Sequence, residues 1–594
     1  MLYLSSVARG FSGNPFVREA LAALASISSG ASVEDVESLT LDCKEEAGRR
    51  RGGVYGSGSA QNDAAARASA EEAACLANTE GGVLVIGVDD NGVGVDALVG
   101  AELDVEWLRE KVWAYTEPHL AVDIVEQWVN GTRILLMLVP RGFRLHRSGK
   151  RFKHRILTSC VEMSPEDQRR AEEDRTGYDW SAEPSSRTLS DVSEGAVELT
   201  RRYLRETGDD SRIELAGRPT PDLLRRLGVL SANDRLNKAG ALLFVQGSGV
   251  VIDYKRRRVP GGSSVDRAEE PAPLIEAYQQ VKARIDAVNE VRELQLPSGV
   301  RPRIRLIPDR AVREALVNAL IHRDYRYADP VDVEFVGAQL VVVSPGGFPP
   351  GINEHNIISE RSHPRNAALT NVFRSLRLAE QEGVGVDRMF RDMVSVGHAV
   401  PTIADRGGRV RCVLVGGEPS QPVVELILSL PSDAQEDVDL ALILHTLLAR
   451  ANVAASELTG VLQKLEQECA DALRRGEAVG VLQPVSWSTR AQPRWRLSDS
   501  ARERLRDVLP YMNASAAEAE EYVVRHLQAH DSIRPRDVAD LLDVSEVHGS
   551  RILRDLRENG GVVAFGSKQT KGRGVFHVRG PRYEEALRRH GITP

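Results

Sequence analysis

The chain has 594 residues, 42% hydrophobic and 27% charged, and a net charge of −8. That length exceeds what one hydrophobic core can organise and predicts about three to five domains of ordinary globular composition. The acidic balance excludes a globally basic nucleic-acid binder, so any such surface must be local.

In chain order, residues 1–30 predict a short helical leader ending near Ser28-Ser29-Gly30. Its ALAALASI segment follows Arg18 and Glu19, which fits an amphipathic helix better than a signal peptide. Residues 31–165 alternate strand and helix. VLVIGV and RILLMLVP read as strands, and VEWLREKVWAY spaces Val105, Leu108, Val112 and Tyr115 as a helix. Residues 166–188 are polar and predict a linker with room for one exposed helix. A second α/β region spans 189–420. Its strongest helix is DRAVREALVNALIHRD, followed by strands VDVEFVG and QLVVVSP with a turn at Val336-Gly337-Ala338. LNKAGALLFVQG, from Leu236 to Gly247, reads as a small helix and then a buried strand. Residues 430–512 and 513–582 each read as three helices followed by a pair of strands.

The five cysteines are scattered, with no CxxC or Cys/His ligand spacing. They predict a reducing cytoplasm, no structural zinc and no need for disulfides. No run of 18 apolar residues occurs, so no membrane span is expected.

The segment ESLTLDCKEE carries Glu37 and Asp42 at an odd spacing. On an unbroken strand they would face opposite sides, so a turn after Ser38 is needed to bring them together. Lys44 shares the parity of Asp42. Farther on, GGVLVIGVDDNG ends a strand in Asp89 and Asp90, which a plain Asp-Asn-Gly turn would also explain. Asn78, Gly81 and Gly82 suit a helix cap and a tight entry into that strand.

Together, ESLTLDCKE and AACLANTEGGVLVIGVDDNG resemble the Schlafen/AlbA-like domain. Nuclease members of that family bind divalent metal through three carboxylates and cleave RNA. By position the resemblance places them on Glu37, Asp42 and Asp90, with Asp42 standing where the family has Glu. The cofactor implied there is Mg²⁺ or Mn²⁺, which suits hard oxygen ligands beside a phosphodiester. The run from Arg141 to Arg155 has seven Lys or Arg and no acid. It predicts a nucleic-acid surface through Arg144, Arg147, Lys150, Arg151, Lys153 and Arg155, joined by Lys44.

In the second region, Glu314 and Asn318 are four apart and share a helix face. SPGGFPPGI and EQEGVGVDRMF follow. The ordered set resembles the GHKL, or Bergerat-fold, ATPase domain. The resemblance places ATP at Glu314, Asn318, Gly346, Gly347, Gly383 and Gly385, with Asn318 as a Mg²⁺ ligand. Val343-Ser344-Pro345 stands where many members carry an adenine-reading Asp.

The two C-terminal units look like tandem winged helices. In the second, Arg551 and Arg554 on the third helix and Lys568, Lys571 and Arg573 on the following turn suit DNA. The first carries Glu466, Glu468 and Asp471 on its third helix, which would repel phosphate.

The expected protein is thus an α/β multidomain chain: a Schlafen/AlbA-like α/β domain, a GHKL-type α/β sandwich and two winged helices. Two functions fit. One is an ATP-binding, nucleic-acid-binding transcriptional regulator. The other is a metal-dependent Schlafen-type ribonuclease in stress or phage defence. Family resemblance also implies a homo-oligomer.

Overall fold

The computed structural model describes residues 14–592, except 49, 52–53, 57, 248, 270, 350, 361–363, 380–384, 486–492, 511–515, 543–545, 567–574 and 591. The chain divides into two compact units: the first ends at Tyr178, and the second begins at Asp179, with residues 349–351 grouped with the first.

The first unit is built on a four-stranded sheet. Its strands are β1 (Leu41–Lys44), β2 (Gly82–Ile86), β3 (Asp123–Val129) and β4 (Thr132–Val139), in the order β1-β2-β4-β3. β1 runs parallel to β2, with Leu41 opposite Val83, and the other pairs are antiparallel. Asn130 and Gly131 both take positive φ and close the β3–β4 hairpin, as a two-residue Asn-Gly turn should.

Strand parity sorts the side chains onto two faces. Val83, Val85, Ile134, Leu136 and Leu138 enter one core with helix α1 (Pro15–Ser28). Leu84, Ile86, Leu135, Met137 and Val139 enter the other, with α2 (Asp63–Ala77) and α3 (Val105–Tyr115). Both faces are covered, which is why VLVIGV and RILLMLV are apolar without alternation. Each such residue, fully buried, contributes about 1.5–3 kcal/mol. The inner face of α2 is mostly alanine, so the helix can lie close to the sheet.

The 166–188 segment contains the helix that its sequence allows. Ser164 and Asp167 form a capping box that starts helix α4 (Pro165–Arg175). Arg175 then donates to the carbonyls of Asn78, at 2.7 Å, and Gly142, at 3.0 Å. Beyond the division, Pro184–Thr188 pairs with Arg235–Asn237. Capping and backbone pairing, which composition does not show, order this polar stretch.

The second unit holds a six-stranded sheet. Its strands are β7 (Ile252–Arg257), β8 (Ser264–Ala268), β9 (Val331–Val336), β10 (Gln339–Pro345), β11 (Thr402–Asp405) and β12 (Arg409–Val415), ordered β8-β7-β9-β10-β12-β11. Only β7 and β9 are parallel within it. Tyr254, Val333, Phe335, Leu340, Val342 and Leu414 join helices α5 (Leu274–Val288), α6 (Asp309–Ile321), α7 (Ala367–Ser375) and α8 (Gly385–Val394) in one core. The expected hairpin forms at Gly337, whose φ is +61°.

One element differs from expectation. Lys238–Phe244 is a helix preceded by a strand at Arg235–Asn237, the reverse of the sequence reading. The Asn237 side chain accepts from Gly240 N at 2.8 Å and starts the helix there. An apolar run this short suits either structure, and the cap decides.

Helices Val438–Ala449, Ala455–Leu462 and Glu466–Ala478 precede strands Leu482–Pro484 and Arg494–Leu497. Their Leu440, Ile443 and Leu447 belong to the same core as Phe390 and Met393. Helices Ala516–Ala529, Pro535–Leu542 and Glu546–Glu558, with strands Val563–Phe565 and His577–Arg579, repeat the order around a separate core. Among the described residues, no helix is long and apolar enough to cross a membrane.

Gly82 has φ +151°, and a Cβ there would overlap the Thr40 carbonyl oxygen. Gly82→Ala should therefore part β1 from β2 and destabilise the first unit by about 2 kcal/mol or more. Thermal unfolding of the full chain checks this, and an unchanged first-unit transition would contradict it.

Candidate functional site

The first site forms where β1 begins. Ser38 Oγ accepts from Thr40 N at 3.1 Å and Leu41 N at 3.0 Å, which makes the turn that the Glu37–Asp42 spacing requires. Glu37 folds back, and its Oε1 accepts from Cys43 N at 2.9 Å. Within β1, Leu41 and Cys43 enter the α1 core, so Asp42 and Lys44 face the α2 side.

On that face Asp42 is buried. Its Oδ1 lies 3.1 Å from Arg155 Nη2, and both side chains are only 1% exposed. Lys44 Nζ lies 3.4 Å from Asp42 Oδ1 and donates to Asp90 Oδ2 at 3.2 Å. Glu37, Asp42 and Asp90 thus gather around two cations belonging to the protein. Burial, reinforced by the Asp42 charge, raises the Glu37 pKa against the opposing bond from Cys43. Burial opposes the Lys44 charge, but Asp42, Glu37 and Asp90 outweigh it and raise its pKa. Asp89 has a different place: its Oδ1 accepts from Asn91 N at 3.1 Å inside the turn.

Several of the expected nucleic-acid contacts are engaged within the protein. Arg155 lies on β5 (Lys153–Ile156) of a hairpin with β6 (Ser159–Glu162), and it is an interior residue. It donates to the carbonyls of Ser38 at 2.9 Å and Leu41 at 3.2 Å. Lys153 pairs with Glu71, Arg147 with Glu117 at 2.6 Å and Arg151 with Glu162 at 2.6 Å. Acids distant in sequence answer a run that holds none itself. Arg144 and Lys150 are exposed, as is Phe143. Asn78 caps α2 and also bonds His146 O and N and Lys153 O, so it anchors this basic segment.

Both Asp42 oxygens are buried and accept no hydrogen bond among the described residues. They face a buried guanidinium and an ammonium, and the Arg155 guanidinium is further held by two carbonyls. A cation at Asp42 would meet both of these charges.

The sequence reading missed one cluster. Glu72 and Cys75 lie three apart on α2, facing inward. Among the described residues, Glu72, Cys75 and Cys160 have donor atoms within 4.8 Å of one another. Cys75 and Cys160 are joined as a disulfide, where the scattered cysteines had suggested a reducing compartment and no need for one. Their separation of 85 residues left no local signal. Burial, with the negative charge of Asp42, pushes Glu72 up to about 7 despite Lys44 and Arg155. The i, i+3 pair on an alanine-rich helix was the available clue.

The second site lies on α6. Glu314 is buried and Asn318 sits one turn on, with Arg313 Nη2 3.5 Å from Glu314 Oε1. Gly385 opens α8 directly against Glu314, and a Cβ there would overlap the carboxylate. Gly346 has φ +96°, and a Cβ on Gly347 would come within 2.6 Å of Asp405 Oδ2. Asp405, from β11, therefore puts a carboxylate beside the first glycine pair, where the local sequence has none. Arg365 donates to His322 O at 3.0 Å and Gly347 O at 3.2 Å, which ties the end of α6 to the glycine turn. Burial, with Arg365 and Arg374, pushes His322 down to about 4, so its ring is neutral near pH 7. Gly383 lies outside the described residues.

On the last long helix, Glu546–Glu558, Arg551 and Arg554 are exposed while Leu553 and Leu556 are buried. Lys568, Lys571 and Arg573 lie outside the described residues. Glu466, Glu468 and Asp471 are exposed on the helix Glu466–Ala478.

Comparison with known proteins gives three family matches. Residues 37–164 match the Schlafen, AlbA_2 model, a span that holds Glu37, Asp42 and Asp90. Residues 328–414 match the model described as the C-terminal region of the ATP-dependent DNA helicase recG, which includes Gly346, Gly347 and Gly385 but starts after α6. Residues 421–506 match a family of unknown function, DUF5635. The crystal structure of the DIP2311 protein from Corynebacterium diphtheriae is similar at 28% identity and a TM-score of 0.55, covering 96% of this chain and 100% of that one. No curated protein matches. The chain thus joins a Schlafen/AlbA_2 domain to an ATPase domain of the recG C-terminal type.

Proposed function

We propose that the protein is a nucleotide-controlled, nucleic-acid-binding regulator whose Schlafen/AlbA_2 domain binds without cutting. The observation that carries this reading is the buried Arg155–Asp42 pair. A metal-dependent ribonuclease would have to move that guanidinium off Asp42, and the Ser38 and Leu41 carbonyls that it bonds would lose their donor. Arg144, Lys150 and the exposed Phe143 remain for phosphate and base contact.

In the ATPase domain, Asn318 would hold the ion that accompanies ATP, and Glu314 would orient water. Gly346, Gly347, Gly383 and Gly385 would let backbone approach phosphate. Magnesium supplied with the nucleotide neutralises phosphate charge. Support comes from the Glu314–Gly385 approach, where a Cβ at residue 385 would push the Glu314 carboxylate out of place. Asp405 takes the place of the missing adenine-reading acid.

We read the two C-terminal units as winged helices, from their repeated order of three helices and two strands. Arg551 and Arg554 make the second the DNA contact, and Lys568, Lys571 and Arg573, later in its sequence, add positive charge to it. The acidic third helix of the first makes it a packing module. The whole acts as a homo-oligomeric transcriptional regulator in the cytoplasm.

Incubation of the full chain with tRNA or duplex DNA, with Mg²⁺ or Mn²⁺ and with or without ATP, tests the central claim. Binding without cleavage is expected in every condition. Metal-dependent cleavage that Asp90→Ala abolishes would overturn the reading in favour of a ribonuclease. Arg551→Ala with Arg554→Ala should weaken DNA binding and lower its salt slope by about 1 for each phosphate no longer neutralised.

Calorimetric titration tests the nucleotide site. Asn318→Ala should weaken Mg-ATP binding about 10- to 100-fold. Glu314→Gln should leave binding near wild type and slow phosphate release. Equal affinity in the wild type and Asn318→Ala would remove Asn318 from the site.

A further inference from the structure

We propose that Cys75 and Cys160 are a reversible thiol–disulfide site, reduced by low-molecular-weight thiols, whose state sets how firmly the β5–β6 hairpin holds Arg155 on Asp42. The inference does not depend on whether the domain binds or cuts nucleic acid.

The geometry begins with the hairpin. Among the described residues, β5 and β6 form a two-stranded sheet with each other, four residues each. An isolated two-stranded hairpin is marginal in water. The outer side of this one is exposed at Ile156 and Leu157. Its inward ties include the Arg155 side chain, which bonds the Ser38 and Leu41 carbonyls and faces Asp42. Arg155 N donates to Thr79 Oγ1 at 2.8 Å, Asn78 Nδ2 donates to Lys153 O at 2.8 Å, and Lys153 pairs with Glu71. The Cys75–Cys160 bond is the one covalent tie, from α2 to β6, with Cα atoms 6.2 Å apart. Cys160 stands directly opposite Arg155 in the hairpin register. The staple is thus fixed at the residue pair that delivers the guanidinium to the carboxylates.

The two sulfurs differ in access. Cys75 is fully buried and Cys160 is half-buried, so an incoming thiolate meets Cys160. Attack forms a mixed disulfide on Cys160 and breaks the Cys75–Cys160 bond, whose electron pair leaves on the Cys75 sulfur. A second thiol attacks the external sulfur of the mixed disulfide and frees Cys160. Two thiols are oxidised to one disulfide, and the protein gains two electrons and two protons. Glu72 Oε2 lies 2.9 Å from Cys160 Sγ. A disulfide sulfur has no hydrogen to donate, so this contact is a hydrogen bond only when Glu72 is protonated. That proton is within reach of the departing Cys75 thiolate, and Glu71, Asp42, Lys44 and Arg155 are the other charges acting there.

The remaining thiols do not compete. Cys43, Cys412 and Cys469 are buried and free. Burial raises the Cys43 pKa and pushes Cys412 up to about 12 and Cys469 up to about 11, which suppresses their thiolates.

The test uses the full chain in glutathione buffers of rising reduced-to-oxidised ratio. Samples are quenched with acid, alkylated and mapped by peptide mass spectrometry, with hydrogen exchange followed in parallel. Cys75 and Cys160 should become alkylatable together, as one two-electron couple. On reduction, amides of residues 153–162 should exchange at least tenfold faster, while β2 and β4 stay protected. Cys160→Ser should exchange like the reduced wild type in every buffer. Independent alkylation of the two cysteines in fully oxidising buffer would overturn the proposal, as would hairpin exchange that is the same in both states. Protection of both reduced thiols that a zinc chelator removes would overturn it too, in favour of a metal site.

Discussion

The first unit depends on a guanidinium and a carboxylate that meet in its interior. Asp42 enters the α2 face because β1 alternates and its neighbours Leu41 and Cys43 must face α1. A lone buried carboxylate would be costly, so a cation has to follow it inward. Arg155 supplies that cation from more than a hundred residues away, and its other N–H groups bond carbonyls on the turn that β1 starts from. One pair therefore fixes the entry of β1, the seating of the hairpin and the charge of the carboxylate cluster. It also divides the basic run, because the fold uses one of its cations internally.

Much of this domain is legible in the sequence, because much of it is parity. The turn at Ser38 follows from the odd Glu37–Asp42 spacing. The division of labour between Asp89 and Asp90 follows from Asn91, which bonds both. The partners are not legible. Nothing near Arg147, Arg151 or Lys153 indicates that Glu117, Glu162 and Glu71 will meet them. Nor do two cysteines in separate elements show that the fold makes them neighbours. Local pattern specifies which face a residue takes, and tertiary packing specifies what waits there.

The second unit shows the same boundary. Helix α6, the β9–β10 hairpin and the glycine turns could be read from period and turn chemistry. Asp405 could not, since it reaches Gly347 from the edge strand β11, about sixty residues on. The Lys238–Phe244 helix is not legible, because so short an apolar run carries no decisive period. The Asn237 side chain, which accepts from Gly240 N, sets where the helix starts.

The continuous core of the second unit has a consequence for how this architecture can vary. Composition changes near Pro419, yet Leu440, Ile443 and Leu447 complete the packing around Phe390 and Met393. A boundary in composition is not a seam in cooperativity. The segment after Pro419 cannot be exchanged without re-solving the interior of its neighbour, so the two are expected to be inherited as one block. The last unit, around Val523, Leu553 and Leu587, has its own interior. Tyr522 packs against both interiors, so exchanging this last part would disturb the larger core at its margin, where exchanging the segment after Pro419 would open its centre.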